Sequence, residues 1–403
     1  MCFPPPANDI KACLEPKTAL QQFNPTSSST IFACIRYMDN RSSVTANGED
    51  NPERSEDNSR TTGQASGQNR NNEGRQQRTI TDIQRYRQLV EQGRFERPRT
   101  IEDNNEEQQL RAWAQETSRR QLTDLEEEFV RLQGQPRPGP SEEFERNPML
   151  NRSRDVICVE NNRIILSSGR YIHANWINSQ GNHRYICTQG PLLQTVDDFW
   201  EMVLQERVEA VLMLCDTFEL NRPICHQYWP TDNSPAITSQ DGNIRIRFVD
   251  TAELDDNHLI RTRLQVTSDN PERQMNVRHF HWRCWPEQGV PMNQLAAIRM
   301  LYYVQHYNPI VIHCSKGIGR TGTIVTIFMA RNTLRAGQRL DLYELVTELR
   351  RHRAGSVQTL DQYLYIYAVI LRYARTKAYR INEDVEASDN LLREISRRIY
   401  RGI

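Results

Sequence analysis

The stretch His313-Cys314-Ser315-Lys316-Gly317-Ile318-Gly319-Arg320-Thr321-Gly322 constrains this 403-residue chain more than any other. Pro309-Ile310-Val311-Ile312 leads into it, a short apolar, β-branched run that reads as a buried strand. Residues 323–334 leave it, mostly apolar and without Gly or Pro, and read as a buried helix that stops near Gly337. A strand and a helix are therefore joined by a loop that carries one Cys, three Gly and one Arg.

That composition has a chemistry. Glycines let successive backbone N–H groups turn to one side, so Ser315, Lys316, Gly317, Ile318 and Gly319 can line a nest for an anion. The helix behind adds unpaired N–H groups and the positive end of its dipole. Arg320 offers a planar fork that matches two oxygens of a phosphate. The same field favours the thiolate of Cys314. A loop that binds a tetrahedral dianion and sets a nucleophile on its floor suits phosphoryl transfer. A structural Cys in a glycine-rich turn explains neither Arg320 nor His313.

His-Cys-Ser-x-Gly-x-Gly-Arg-Thr-Gly resembles the phosphate-binding loop of the protein tyrosine phosphatases, with every fixed position present. The resemblance runs over most of residues 125–373. Asn151-Arg152-Ser153-Arg154-Asp155-Val156 looks like that family's phosphotyrosine-recognition loop. Tyr185-Ile186-Cys187-Thr188-Gln189-Gly190-Pro191-Leu192 and Cys225-His226-Gln227-Tyr228-Trp229-Pro230 are similar to two of its further motifs. The resemblance implies an α/β fold, a twisted mixed β-sheet flanked by helices. It also implies a phosphotyrosine-specific, non-receptor enzyme that works through a phosphocysteine intermediate, with no cofactor, no metal and a phosphotyrosine-containing protein as partner. By that resemblance Cys314 attacks phosphorus, Arg320 clamps its oxygens and Thr321 assists departure of the thiolate. Gln358 orients the hydrolytic water with Gln362 beside it, in a loop Ser356-Val357-Gln358-Thr359-Leu360-Asp361-Gln362-Tyr363, and Asp155 helps to hold the substrate. Trp285-Pro286-Glu287-Gln288-Gly289-Val290-Pro291 resembles the mobile loop that carries the general acid, which a tyrosyl leaving group requires. Glu219 is a candidate partner for Arg320, plain surface exposure being the alternative.

Four positions depart from the family. Ser153 replaces a Tyr whose ring packs on the substrate, which removes a stacking surface. Glu287 stands where Asp is usual, and a displacement of ~1 Å in a catalytic group can cost on the order of 10²-fold. Ile224 stands where Lys is common, and Lys316 where a small residue is usual. Membrane-distal domains of receptor-type phosphatases combine similar losses, so a second reading is a low-activity or inactive pseudophosphatase that binds phosphotyrosine proteins. A dual-specificity or lipid phosphatase suits a shorter domain.

Around this core, residues 1–100 form an expected disordered tail. It has almost no apolar periodicity beyond Ile31-Phe32-Ala33-Cys34-Ile35 and a weak helical pattern over residues 81–95. The phosphatase-like domain is expected over residues 105–375, and a polar C-terminal tail over residues 376–403 with a short basic helix near 391–400. Helices are expected around 122–132, 198–203, 340–353 and 363–371. Strands are expected at 151–156, 163–166, 171–177, 210–215, 244–248, 259–266 and 277–282. His279 and His281 share one face of the last of these, but with no third ligand apparent they read as packed strand histidines rather than a metal pair. Lys+Arg and Asp+Glu both number 51, so no global charge recruits nucleic acid. No apolar run approaches the ~20 residues of a membrane span. The nine cysteines are scattered and never spaced as Cys-x-x-Cys, which points to a reducing, cytoplasmic setting. Nothing in the sequence speaks to oligomeric state.

Overall fold

Apolar periodicity in the first described helices sets one face of the molecule. The computed structural model describes residues 100–401 apart from 140, 255–257, 270–273 and 378–383. The tail expectations at 31–35 and 81–95 lie outside the described residues. Helix α1 (Ile101–Ser118) buries Glu106, Leu110, Trp113 and Thr117, and α2 (Leu122–Gln133) buries Leu125, Phe129 and Leu132 at helical spacing. A short α3 (Glu142–Arg146) follows, capped by the Ser141 hydroxyl, which accepts from Phe144 N.

Strands β1 (Arg163–Ile165), β2 (Tyr171–Asn178) and β3 (Arg184–Gln189) come next, then α4 (Val196–Gln205) and β4 (Ala210–Met213). A tight hairpin, β5 (Phe218–Glu219) and β6 (Arg222–Pro223), stands apart from the main sheet. The chain continues through β7 (Ile237–Thr238), β8 (Ile244–Glu253), β9 (Leu259–Ser268), β10 (Met275–Trp282), α5 (Gln294–Val304) and β11 (Ile310–Cys314). It ends in α6 (Gly319–Arg335), α7 (Leu342–His352), α8 (Leu360–Lys377) and α9 (Asp384–Ile399).

Nine strands form one sheet in the order β1-β2-β3-β11-β4-β10-β9-β8-β7. The centre is parallel, β11 lying between β3 and β4, and β4 beside β10. The remaining pairings, outward on both sides, are antiparallel. Parallel strands need cover on both faces, and all five residues of β11 are buried, as are all four of β4. The outer strand β8 alternates exposed positions with half-buried ones and the buried Ile246, as expected of a sheet edge region.

Two expectations differ. Residues 151–156 form a turn rather than a strand, because Arg152 is spent elsewhere: its N–H donates to Gln189 Oε1 (2.8 Å) and its guanidinium to the carbonyls of Gly190 and Pro191. The C-terminal basic helix is longer than expected, and α9 buries Leu391, Leu392, Ile395 and Ile399 while packing on α8 and α1. Among the described residues no helix is long and apolar enough to cross a membrane.

Helix α6, which starts within the stretch 313–322, is buried along nearly its whole length. Beyond Arg320 in its first turn it buries a second charge, Arg331, which meets Glu106 of α1 (2.8 Å) and Gln305 (2.9 Å), and Tyr373 of α8 donates to the same Glu106 oxygen (2.7 Å). Burial alone would raise the Glu106 carboxyl, but Arg331, with Lys377, Tyr373 and Arg335 around it, holds it below its ordinary value. Removing one partner of such a pair leaves the other buried and uncompensated, at about 3–5 kcal/mol. Glu106→Gln is therefore expected to destabilise the fold by roughly that much near neutral pH, as read by urea unfolding. Because the folded value is depressed, this contribution is complete above the unfolded value of 4.5 and disappears as pH falls through the folded one, so the penalty shrinks in acid. A penalty independent of pH contradicts the assignment.

Candidate active site

Strand β11 delivers Cys314 to the carboxyl end of the parallel centre of the sheet, where Cys314 aligns with Gln189 of β3. The loop of residues 315–318 then turns into α6, which begins at Gly319, four residues earlier than the apolar pattern indicates. Arg320 and Thr321 thus lie in the first helical turn.

The loop carbonyls are bound from behind. Ser315 O accepts from Gly190 N (2.8 Å), and Ile318 O accepts from Val357 N and Gly322 N (both 3.0 Å). Arg353 donates to Gly317 O (3.0 Å) and Lys316 O (3.1 Å). In a trans peptide the C=O and the next N–H point in opposite directions. With four successive carbonyls drawn outward, the N–H groups of Lys316, Gly317, Ile318 and Gly319 face the other way, into one concavity. Glycine is required here. Gly317 has φ +71° and a side chain on it would overlap the carbonyl of Thr188. A Cβ at Gly322 would lie 2.6 Å from Val357 N.

Arg353 is fully buried and, among the described residues, bonds to no carboxylate. Its remaining donors reach Asn175 Oδ1 (2.8 Å) and His173 Nδ1 (2.9 Å). Burial, with the Arg353 charge beside it, pushes His173 down to about 3, so the ring is neutral. Its Nε2–H then donates to Val156 O (2.9 Å), leaving Nδ1 free to accept from Arg353. In the sequence Arg353 stands at the end of the expected helix 340–353, beside Arg350 and Arg351. Arg351 there is exposed and pairs with Glu348, whereas Arg353 is followed by Ala354, Gly355 and Ser356, small residues that let the chain pass close behind the loop.

His313, also fully buried, is pushed down to about 3 by burial, and burial lowers His279 well below its ordinary value. The neutral rings flank the hydroxyl of Tyr228, at 2.6 Å from His313 Nε2 and 2.7 Å from His279 Nε2. His313 Nδ1 faces Cys314 O at 3.2 Å, which assigns the proton to Nδ1 and makes Nε2 the acceptor from Tyr228. Cys215, Cys225 and His313 bring potential ligand atoms within 4.8 Å of one another, but both nitrogens of His313 already have these partners. His281 bonds Cys215 O at 2.9 Å.

Arg320 has no exposed surface. Its Nη1 donates to Glu219 Oε1 (2.6 Å) and to the carbonyl of Trp285 (2.8 Å). Glu219 is therefore a partner of Arg320 and not plain surface. Burial opposes the Arg320 charge, but Cys314, Cys215 and Glu219 outweigh it and hold the guanidinium above its ordinary value. Its other donors, Nε and Nη2, are buried with no partner among the described residues, as are Thr321 Oγ1 and Gln362 Nε2. Gln362 Oε1 accepts from Gln358 N (3.0 Å) and Thr359 N (3.3 Å), which turns its amide nitrogen toward the loop. A Cβ on Gly319 would sit 3.0 Å from that nitrogen and 3.2 Å from Gln358 Oε1.

Glu287 lies in the segment Trp285–Pro291, whose Trp285 is buried against Trp282 and Tyr365 and whose Gln288 carbonyl accepts from Thr359 Oγ1 (3.1 Å). The Glu287 carboxylate pairs with Arg222 of the β5–β6 hairpin, a residue that sequence reasoning did not single out. Asp155 and Ser153 belong to the turn anchored on Gly190. Asp155 is exposed, its N–H near Ser153 Oγ (3.4 Å). The structure thus gathers Cys314 to Thr321 with Gln358 and Gln362, joins the Glu287 segment to them through Arg320 and Thr359, and leaves Asp155 at the rim.

Unpaired buried donors are costly, about 1–3 kcal/mol each, and four of them around one concavity mark a place for an oxyanion. Arg353→Met should release the loop carbonyls and weaken binding of a tetrahedral oxyanion. The expected result is a loss of affinity for orthovanadate of at least about tenfold by calorimetry, in a variant that remains folded by circular dichroism. Undiminished vanadate affinity contradicts the role given to Arg353.

Comparison with known proteins agrees with this geometry. Residues 147–372, more than half of the chain, match the family model described as protein-tyrosine phosphatase. The chain is 33% identical over 243 residues to tyrosine-protein phosphatase non-receptor type 2 of Mus musculus, covering 58% of this chain and 59% of that protein. It is 35% identical over 243 residues to receptor-type tyrosine-protein phosphatase F of Bos taurus, covering 57% of this chain and 12% of that protein. It therefore spans less than two thirds of the length of either relative. Among solved structures, the catalytic domain of human protein tyrosine phosphatase non-receptor type 18 superposes with a TM-score of 0.59 at 27% identity, covering 65% of this chain and 99% of that one. The same phosphatase in complex with a HER2 phosphopeptide gives a TM-score of 0.60 at 26% identity, covering 65% of this chain and 98% of that one.

Proposed function

Because the chain belongs to the protein-tyrosine phosphatase family, we propose that it hydrolyses phosphotyrosine in proteins through a phosphocysteine intermediate on Cys314. The observation that carries the reading is the set of orphaned donors, Arg320 Nε and Nη2 with Thr321 Oγ1 and Gln362 Nε2, around the cradle behind Cys314. The loop N–H groups and the Arg320 fork bind the phosphoryl oxygens. The Cys314 thiolate attacks phosphorus, the S–P bond forms, the P–O bond to tyrosine breaks, and Glu287 gives its proton to the departing oxygen. Gln358 and Gln362 then hold a water in line with the S–P bond, Glu287 takes its proton, and Thr321 Oγ1 donates to the returning thiolate. The non-receptor type 18 phosphatase has been solved in complex with HER2 phosphopeptides, which supports phosphotyrosine-bearing proteins as partners here. Asp155, exposed in the turn that Gly190 anchors, helps to hold the substrate in this reading.

Cys314→Ser is expected to abolish turnover of a phosphotyrosine peptide while retaining its binding, since the cradle is untouched. Turnover that persists removes Cys314 from the mechanism. Glu287→Gln is expected to slow hydrolysis by roughly 10²–10⁴-fold for poor leaving groups and far less for good ones, in steady-state kinetics on a series of aryl phosphates. Binding without turnover in the wild-type protein leaves the alternative, a module that holds phosphotyrosine and does not release phosphate.

A further inference from the structure

The β5–β6 hairpin places two opposite charges directly across its ladder, Glu219 facing Arg222. Its turn residues Leu220 and Asn221 have φ of +48° and +58°, the left-handed pair of a tight two-residue hairpin, so the register is fixed. Cross-strand partners project from the same face of a ladder. Here each reaches a different part of the site. Glu219 takes Nη1 of Arg320, and Arg222 Nη2 donates to Glu287 Oε2. Arg320 Nη1 also holds the carbonyl of Trp285 (2.8 Å). The acid-bearing segment is thus gripped at two points, Trp285 by the clamp arginine and Glu287 by the hairpin, and the hairpin holds the clamp as well.

We propose that Arg222 is a positioning residue that sets Glu287, and with it residues 285–291, over the phosphate cradle. The proposal rests on the reading of Glu287 as general acid and names what aims it. Glu carries one more rotatable bond than Asp, so its carboxyl needs an external hold to keep one geometry. Arg222 supplies it from a rigid two-residue turn. The neighbouring hairpin-end residue Ile224 is apolar and buried, so Arg222 is the cation that β6 and its flank offer to this carboxylate. Exposed ion pairs add little to folding stability, and Arg222 is 57% exposed. The pair should therefore be visible in kinetics and loop dynamics rather than in melting temperature. In the second step the same guanidinium neighbours the ionised carboxylate that accepts the proton from water.

The test compares wild type, Arg222→Met, Arg222→Lys, Glu287→Gln and the double variant Arg222→Met/Glu287→Gln on phenyl phosphate and on 2,4-dinitrophenyl phosphate, with amide hydrogen exchange over residues 285–291. Arg222→Met should melt as wild type does, lose roughly tenfold in kcat/KM on phenyl phosphate with little loss on the dinitrophenyl ester, and exchange faster across the segment. Arg222→Lys should recover part of both. The double variant should be no worse than Glu287→Gln alone, because Arg222 acts through Glu287. Additive losses, equal losses on the two esters, or unchanged exchange overturn the proposal. If Glu287→Gln itself shows no dependence on leaving group, the general-acid reading falls, and the exchange rates still decide whether Arg222 holds the segment.

Discussion

The site depends on the outward pull on four consecutive loop carbonyls, and the deepest part of that pull comes from Arg353. A guanidinium buried without a carboxylate is an expensive arrangement. It is tolerated because its donors are spent on Lys316 O, Gly317 O, Asn175 Oδ1 and neutral His173 Nδ1. Those bonds, with Gly190 N and Val357 N on the flanking carbonyls, fix the direction of the loop N–H groups before any ligand arrives. The cradle is preorganised, and its reorganisation cost was met when the chain folded.

Around that floor the structure distributes charge through short, rigid connections. The parallel strands β3, β11 and β4 end together, which brings Gly190, Cys314 and Leu214 side by side. Helix α6 begins at the loop and is locked by the buried Arg331–Glu106 pair to α1, so the floor is tied to a helix far from it in sequence. Arg320 leaves Nε and Nη2 for a ligand because Glu219 and Trp285 share Nη1.

Much of this was legible in the sequence. The apolar run 309–312, the glycine spacing and Arg320 indicate a strand-loop-helix anion site without further information; β11 and Cys314 stand where that pattern puts them, and α6 starts four residues before it. Period-two patterning indicates the strands at 244–248 and 259–266, and 277–282 reads as a further strand; the structure extends them to β8, β9 and β10, whereas the mixed sheet was implied by the family resemblance. What was not legible lies in long-range pairing. Arg353 in sequence is one of several basic residues at a helix end, and only the fold shows that it is the buried one. Arg222 is an exposed arginine beside a proline, and nothing in its neighbourhood announces Glu287, 65 positions away. The turn at 151–156 carries an extended-looking pattern, but the Arg152 N–H is claimed by Gln189 Oε1 and its guanidinium by Gly190 O. Periodicity reports which face is buried and is silent about which polar groups meet.

The most direct measurement of the central claim is mass spectrometry of the acid-quenched reaction of a Gln362→Ala variant with a phosphotyrosine peptide. That change removes an orphaned donor beside the loop, the one that would hold the hydrolytic water in the proposed mechanism, and keeps Cys314, Arg320 and the loop N–H groups, so the covalent intermediate should accumulate. The account predicts one phosphoryl group on the fragment that contains Cys314, formed as fast as tyrosine peptide is released. Release of dephosphorylated peptide with the phosphoryl group on another residue, or with none on Cys314 at any quench time, would contradict it.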